Sequence, residues 1–242
     1  MEVHHPHHPT HKKEWKEYIV EFIMLFAAVT LGFFAENIRE RIAENDKAKE
    51  LIEVVGKDLK SDLLQMQMLR ENEVEKIKIC DSIRDILNSD PKTIDQKTYY
   101  RLLINYSIIF TMNANDKSRI DAETKGYFFK EENKELASNI KQYNFWLKDY
   151  NQLEKFLMDQ FKVYSNDILP EITEPEIFDK QWRYPPQPIE SKVGIAPIKS
   201  EYIKKSKFML SQTKVIMDGF LSDLDSMTYY ANKSIEIIEK KK

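Results

Sequence analysis

From Tyr18 to Ala35 the chain reads YIVEFIMLFAAVTLGFFA, with Glu21 its only charge and an unbroken apolar or small run from Phe22 onward. Eighteen helical residues rise about 27 Å, close to a bilayer hydrocarbon core of roughly 30 Å. Trp15 and Tyr18 stand at one end, where amphipathic rings favour a membrane interface. The pattern predicts a transmembrane helix over residues 18–36. A buried soluble helix competes with this reading, but the rest of this polar chain offers little to cover so wide an apolar surface. A cleavable leader competes too. For a cut after Ala35, however, Phe33 stands where a small residue is required, so the segment reads as an uncleaved anchor.

Beyond the anchor the period changes to that of an amphipathic helix. Ala48, Ile52, Val55, Leu59, Leu63, Met66 and Leu69 recur every three or four residues, with Lys47, Lys49, Glu50, Glu53, Lys57, Asp58 and Lys60 among them. Arg70-Glu71-Asn72-Glu73 breaks the stripe, which resumes at Ile77, Cys80, Ile83 and Leu87. This predicts one helix leaving the anchor without a linker, kinked near 70–73 and only partly a coiled coil, because a clean heptad does not persist.

Asn88-Ser89-Asp90-Pro91 predicts a stop, and Thr93 with Gln96 a capping box for a helix carrying Tyr99, Leu102, Leu103 and Tyr106. Ser107–Met112 suits a short extended piece, and residues 116–125 a short helix closed by Gly126. Leu136, Ile140, Tyr143, Leu147, Tyr150, Leu157, Phe161, Tyr164 and Ile168 mark one long helix, with a gap in the stripe at Glu154. Tyr202, Met209, Ile216, Phe220, Leu224, Met227 and Tyr230 mark another. Between them, residues 170–197 hold six of the nine prolines and are expected to be irregular, a strap anchored on the bundle by Phe178, Trp182 and Tyr184.

The expected organisation is therefore all-α. It comprises a His-rich tail (1–17), the span (18–36), a helical body (37–169) forming a long-helix bundle, the strap (170–197) and a C-terminal helix (198–242).

Composition narrows the chemistry. Lys+Arg is 37 and Asp+Glu 40, a net charge of -3 without a basic footprint for nucleic acid. The five glycines never cluster, which excludes glycine-rich phosphate loops. All five His lie within the first eleven residues and Cys80 is the only cysteine, so the body has no Ser-His-Asp or Cys-His centre and no zinc set. Carboxylates alternate with lysines, as on solvated helix faces. No catalytic residue, cofactor site or small-molecule substrate is assigned. His4, His5, His7, His8 and His11 suit weak, adventitious metal binding rather than a closed site, so no metal site is assigned either.

Glu21 is the one ionisable group within the span, one turn from its edge, and shares a helix face with Leu25, Ala28, Gly32 and Ala35. Ala28 and Gly32 form a small-xxx-small pair. That face is the candidate helix–helix interface, toward a second copy or another membrane subunit.

The span and its continuation resemble an uncharacterised family of bacterial single-span membrane proteins. The resemblance lies in Glu21–Glu40, with Phe26-Ala27, Leu31-Gly32-Phe33 and Ala35-Glu36-Asn37-Ile38-Arg39-Glu40, and in Lys57-Asp58-Leu59-Lys60 followed by Asp62. It continues in Asn115 to Gly126 and in the N-x-x-L-x-x-x-I-x-x-Y stretch from Asn133 to Tyr143. It covers roughly residues 18–165 and implies an inner-membrane anchor with a helical body in the periplasm, but no chemistry. Charge alone does not orient the span, because Lys12, Lys13 and Lys16 on one side face Arg39, Arg41, Lys47 and Lys49 on the other. The expected function is non-enzymatic: an oligomeric or accessory subunit of an envelope complex. The alternative is an ion- or proton-coupled transport assembly that uses Glu21.

Overall fold

In the computed structural model, which describes residues 14–90, 93, 95–182 and 199–241, α1 (Trp15–Ile86) is one uninterrupted helix. No proline lies between Pro9 and Pro91, so nothing in this stretch removes a backbone donor or clashes with the preceding turn. The helix continues without a break through residues 70–73, where the apolar stripe is interrupted. Contacts divide the chain after Leu51 into two units.

The first unit contains the apolar segment of α1. It carries the one stretch among the described helices that is long and apolar enough to cross a membrane, and none of that stretch is buried. From Trp15 to Lys47 every side chain is exposed except Thr30, which is half-buried and donates to the Phe26 carbonyl at 2.7 Å. In hydrocarbon this bond satisfies a hydroxyl that would otherwise be costly.

The second unit is a helical bundle, and no strand occurs among the described residues. Its three long members are residues 52–86 of α1, α4 (Lys134–Val163) and α7 (Ser200–Lys240). Three ion pairs, Lys60–Glu239, Arg70–Asp225 and Asp81–Lys214, set α7 antiparallel to α1. α7 is also antiparallel to α4: Lys241 bonds Asn133 Oδ1 at 2.7 Å, and the Tyr150 and Phe220 rings meet at 4.6 Å.

α1 follows a heptad more strictly than its apolar residues alone suggest. Ile52, Leu59, Met66, Glu73, Cys80 and Leu87 lie seven apart, as do Val55, Asp62, Leu69, Lys76 and Ile83, and every one of them is buried. This is the a/d pattern of a coiled-coil seam with three charged members. The interruption at 70–73 was a polar residue in a core position. α4 repeats the period with Leu136, Tyr143, Tyr150, Leu157 and Tyr164.

One end of the bundle is closed by α2 (Gln96–Ser107), α5 (Leu169–Ile172) and α6 (Pro175–Trp182). Tyr99, Leu103 and Tyr106 pack there with Cys80, Ile83, Tyr164, Ile168 and Met209. Asp95, not Thr93, is the N-cap of α2; Thr93 Oγ1 donates to the Asp90 carbonyl instead. α4 continues through a π-helical turn, Tyr164–Ile168, into α5. Helix in α5 and α6 corrects the expectation that residues 170–197 are irregular throughout. Pro175 opens α6, a position where a missing backbone N–H costs nothing, and Pro170 stands just after the π-helical turn.

α3 (Lys117–Thr124) ends as expected at Gly126, whose φ of 73° is left-handed. Between α2 and α3, residues 108–116 have no regular structure, with Ile108 itself extended.

Candidate functional site

Two of the three charged seam residues of α1, Asp62 and Lys76, serve the same neighbouring segment. Asp62 Oδ1 accepts from the backbone N–H and the side-chain amide of Asn115, each at 3.0 Å. Its Oδ2 accepts from Arg119 Nη1 at 3.1 Å and from Tyr143 Oη at 2.8 Å. The Arg119 guanidinium also lies over the Tyr143 ring, 4.7 Å from its centroid. Four donors on one carboxylate offset much of the cost of burying it. Arg119 is less completely served, since its Nε and Nη2 are buried without a protein partner.

Around this centre, Gln65 exchanges two bonds with the backbone of Asn113, at 3.1 and 3.2 Å, and Ser118 Oγ donates to Asp58 at 2.5 Å. Two heptads up the seam from Asp62, Lys76 Nζ donates to the carbonyls of Asn105 (3.2 Å), Tyr106 (2.7 Å) and Ile108. It thereby caps the end of α2, where helix carbonyls lack partners and the dipole favours a cation. From α4, Glu154 Oε1 accepts from the backbone N–H of Met112 at 3.3 Å. Residues 105–119 are thus strapped along the bundle by Asp58, Asp62, Gln65 and Lys76 of α1 and Glu154 of α4.

Beside Lys76 lies a second buried polar set. Burial pushes the Glu73 carboxyl up to about 7, with Lys76 opposing the shift and Glu154 adding to it. Burial brings Lys76 down to about 8, with Glu73 and Cys80 opposing. Asp223 of α7 is pushed up to about 6 by burial, with Asp149 adding. Burial also raises Glu154 and the Tyr150 phenol, the latter also facing Glu73, Glu154 and Asp223. Tyr150 Oη and Asp223 Oδ2 are buried without a protein partner. The arrangement can take up a proton and can tie elements together. Among the described residues, no three His, Cys, Asp or Glu side chains are placed to hold a metal ion.

None of these residues was singled out as a site from the sequence, although Glu154 was noticed as a gap in a stripe. The available signal was the heptad itself, because reading sevens through Asp62, Glu73 and Lys76 puts each of them on the seam.

The residues expected to matter sit elsewhere. Glu21, Leu25, Ala28, Gly32 and Ala35 lie on α1 at spacings of four, three, four and three, and all are exposed. A Cβ added at Gly32 meets nothing within 4 Å, so this small-residue face is open in the single chain. Phe178 packs, half-buried, against the cluster at the bundle end, and Ile177 beside it is buried. Trp182 closes α6, while Tyr184 and the five His lie outside the described residues. Cys80 is buried on the seam and burial pushes its thiol up to about 12, which keeps it from reacting as a thiolate at neutral pH.

No family model, curated protein or solved structure matches the chain.

Proposed function

We propose that this protein is a non-enzymatic, single-span subunit of a bacterial cell-envelope membrane complex. In this reading the helix over residues 18–36 anchors it in the inner membrane, and the bundle stands in the periplasm as a docking or spacing element. The observation that carries the reading is the stretch of α1 that is long and apolar enough to cross a membrane and has none of its residues buried. An apolar surface of that extent, left uncovered by the rest of the chain, suits a bilayer. The polar interior supports a structural role, because most of its bonds tie one stretch of backbone to the bundle. The resemblance of residues 18–165 to single-span envelope proteins supports the compartment.

Within the membrane, apolar burial does not drive helices together, since lipid tails are as apolar as Leu; close backbone approach and hydrogen bonds do. The Ala28–Gly32 face with Glu21 is therefore assigned as the surface that meets another copy or another subunit.

Two experiments test this. Protease added to intact spheroplasts should digest the chain beyond about residue 40, if protection extends only a turn or so past the bilayer; a body left whole until lysis reverses the topology. Gentle extraction from native membranes should recover a stoichiometric membrane complex, homomeric or mixed. Recovery of isolated monomers only would sink the subunit reading.

A further inference from the structure

The strap from Asn105 to Asn115 is not held by apolar packing alone. Ile108 and Phe110 are exposed, at 40% and 48%, and among its side chains between Ile108 and Asn115 only Met112 is buried. What keeps it on the bundle is a row of polar bonds, and the Lys76 ammonium makes three of them. Glu73, one turn earlier on the same helix and also buried, is not among the partners of Lys76 in this arrangement, though its charge acts on that of Lys76. A carboxylate and a set of helix-end carbonyls therefore stand near one ammonium.

We propose that Lys76 is a proton-governed latch: while Glu73 is neutral, the ammonium holds the end of α2 and residues 108–115 on the bundle, and when Glu73 ionises its carboxylate draws the ammonium away and the strap loosens.

The groups facing this pair from each packed element support that direction. α1 itself contributes Cys80, whose thiol stays protonated. α2 contributes neutral acceptors, the carbonyls of Asn105 and Tyr106, and the Tyr106 ring 5.7 Å from Nζ. α4 contributes Glu154 and Tyr150, and behind Tyr150 lies Asp223 of α7, which interacts in turn with Asp149. With Glu73 and Glu154 both ionised the two carboxylates repel one another, so one proton on Glu73 relieves that repulsion and leaves the ammonium to the carbonyls. Glu154 acts in the opposite sense on a single bond, because its ionised form is the better acceptor for the Met112 N–H. Lys76 retains its proton at neutral pH even with burial bringing it down to about 8, so below that pH the switch belongs to Glu73. Loosening the strap would uncover the α1–α4 seam between Asp62 and Lys76.

The test is hydrogen–deuterium exchange of the full-length protein in lipid nanodiscs at pH 5 and pH 7, a window in which Lys76 keeps its proton, with protection corrected for the pH dependence of intrinsic exchange. The reporters are the amides of Met112, Asn113 and Asn115, each of which donates to a bundle side chain. Their protection should fall by about three- to tenfold from pH 5 to pH 7, within the limit of about tenfold per pH unit for one linked proton. In Glu73→Gln, which cannot ionise, protection should stay at its pH 5 level, and in Lys76→Gln it should be low at both pH values. Equal protection of the wild type at the two pH values overturns the latch. So does a fall that survives in Glu73→Gln, or one shared equally by the core amides of α7, which is global loosening.

Discussion

Asp62 and Arg119 form an ion pair at 3.1 Å with both side chains at most 1% exposed, one on the seam of α1 and the other on the short α3. Removing either partner strands the other charge in the interior. Asp62→Ala should cost about 3–5 kcal/mol, and Asp62→Leu with Arg119→Leu considerably less than the sum of the two single changes. Denaturant unfolding of the four members of this cycle, followed by circular dichroism, measures the coupling. Additive losses would mean that the pair does not act as a unit.

The stability of the body should depend on pH in the direction opposite to ordinary acid denaturation. Glu73 and Asp223 have folded-state values raised to about 7 and about 6 from 4.5 and 3.8. Each therefore contributes stability that is fully present below its unfolded value and is lost as pH rises through its folded value. Lys76, lowered from 10.5 to about 8, has the converse sign: its contribution is present above 10.5 and lost as pH falls through 8. The bundle should thus be least stable near pH 7–8 and gain as pH falls toward 5. The gain from Glu73 is at most on the order of 3 kcal/mol, reduced by its coupling to Lys76. Melting temperatures between pH 5 and 8 check this, and Glu73→Gln should flatten the profile and raise the melting point at pH 8.

Two glycines should respond with opposite signs. A Cβ at Gly56, in the interior of α1, would sit 3.4 Å from Ile238 Cγ2, an ordinary contact. Gly56→Ala should stabilise by up to about 1 kcal/mol through helix propensity. Gly126 has a φ of 73°, where a side chain is strained, so Gly126→Ala should destabilise by about 1 kcal/mol or more. Thermal melts of both variants decide the signs.

The anchor face should matter for association and not for the fold. Since nothing surrounds Gly32 in the single chain, Gly32→Leu should leave the melting of the body unchanged while weakening association through the membrane. Glu21→Gln should weaken it by less, because an interhelical hydrogen bond is worth only about 0.6–2 kcal/mol. An ion-coupled assembly instead predicts loss of function from Glu21→Gln with association intact. Disulfide trapping from single cysteines at positions 25, 28 and 32, in a Cys80→Ser background, reads the interface. Absence of trapping to any chain would make the small residues incidental.

The helical class, the membrane-length apolar stretch and the three long helices were legible from local pattern, because a period of three to four and a stretch of eighteen residues with a single charge are properties of the chain alone. So was the Gly126 stop, a requirement for a left-handed residue after a helix. The charged seam was written in the same letters but hidden. Asp62, Glu73 and Lys76 occupy heptad positions, yet a charge there reads as an interruption until partners far along the chain are known. Asn115, Arg119 and Tyr143 lie some fifty to eighty residues away from Asp62, and only packing brings them to one carboxylate. Whether Pro175 breaks or begins a helix was likewise undecided locally, since a proline denies a helix its interior but suits its first turn. Local periodicity determined which segments are helical. The tertiary structure decided which charges are buried, because burial depends on what donors and acceptors arrive from other helices, and no periodicity in one helix specifies those.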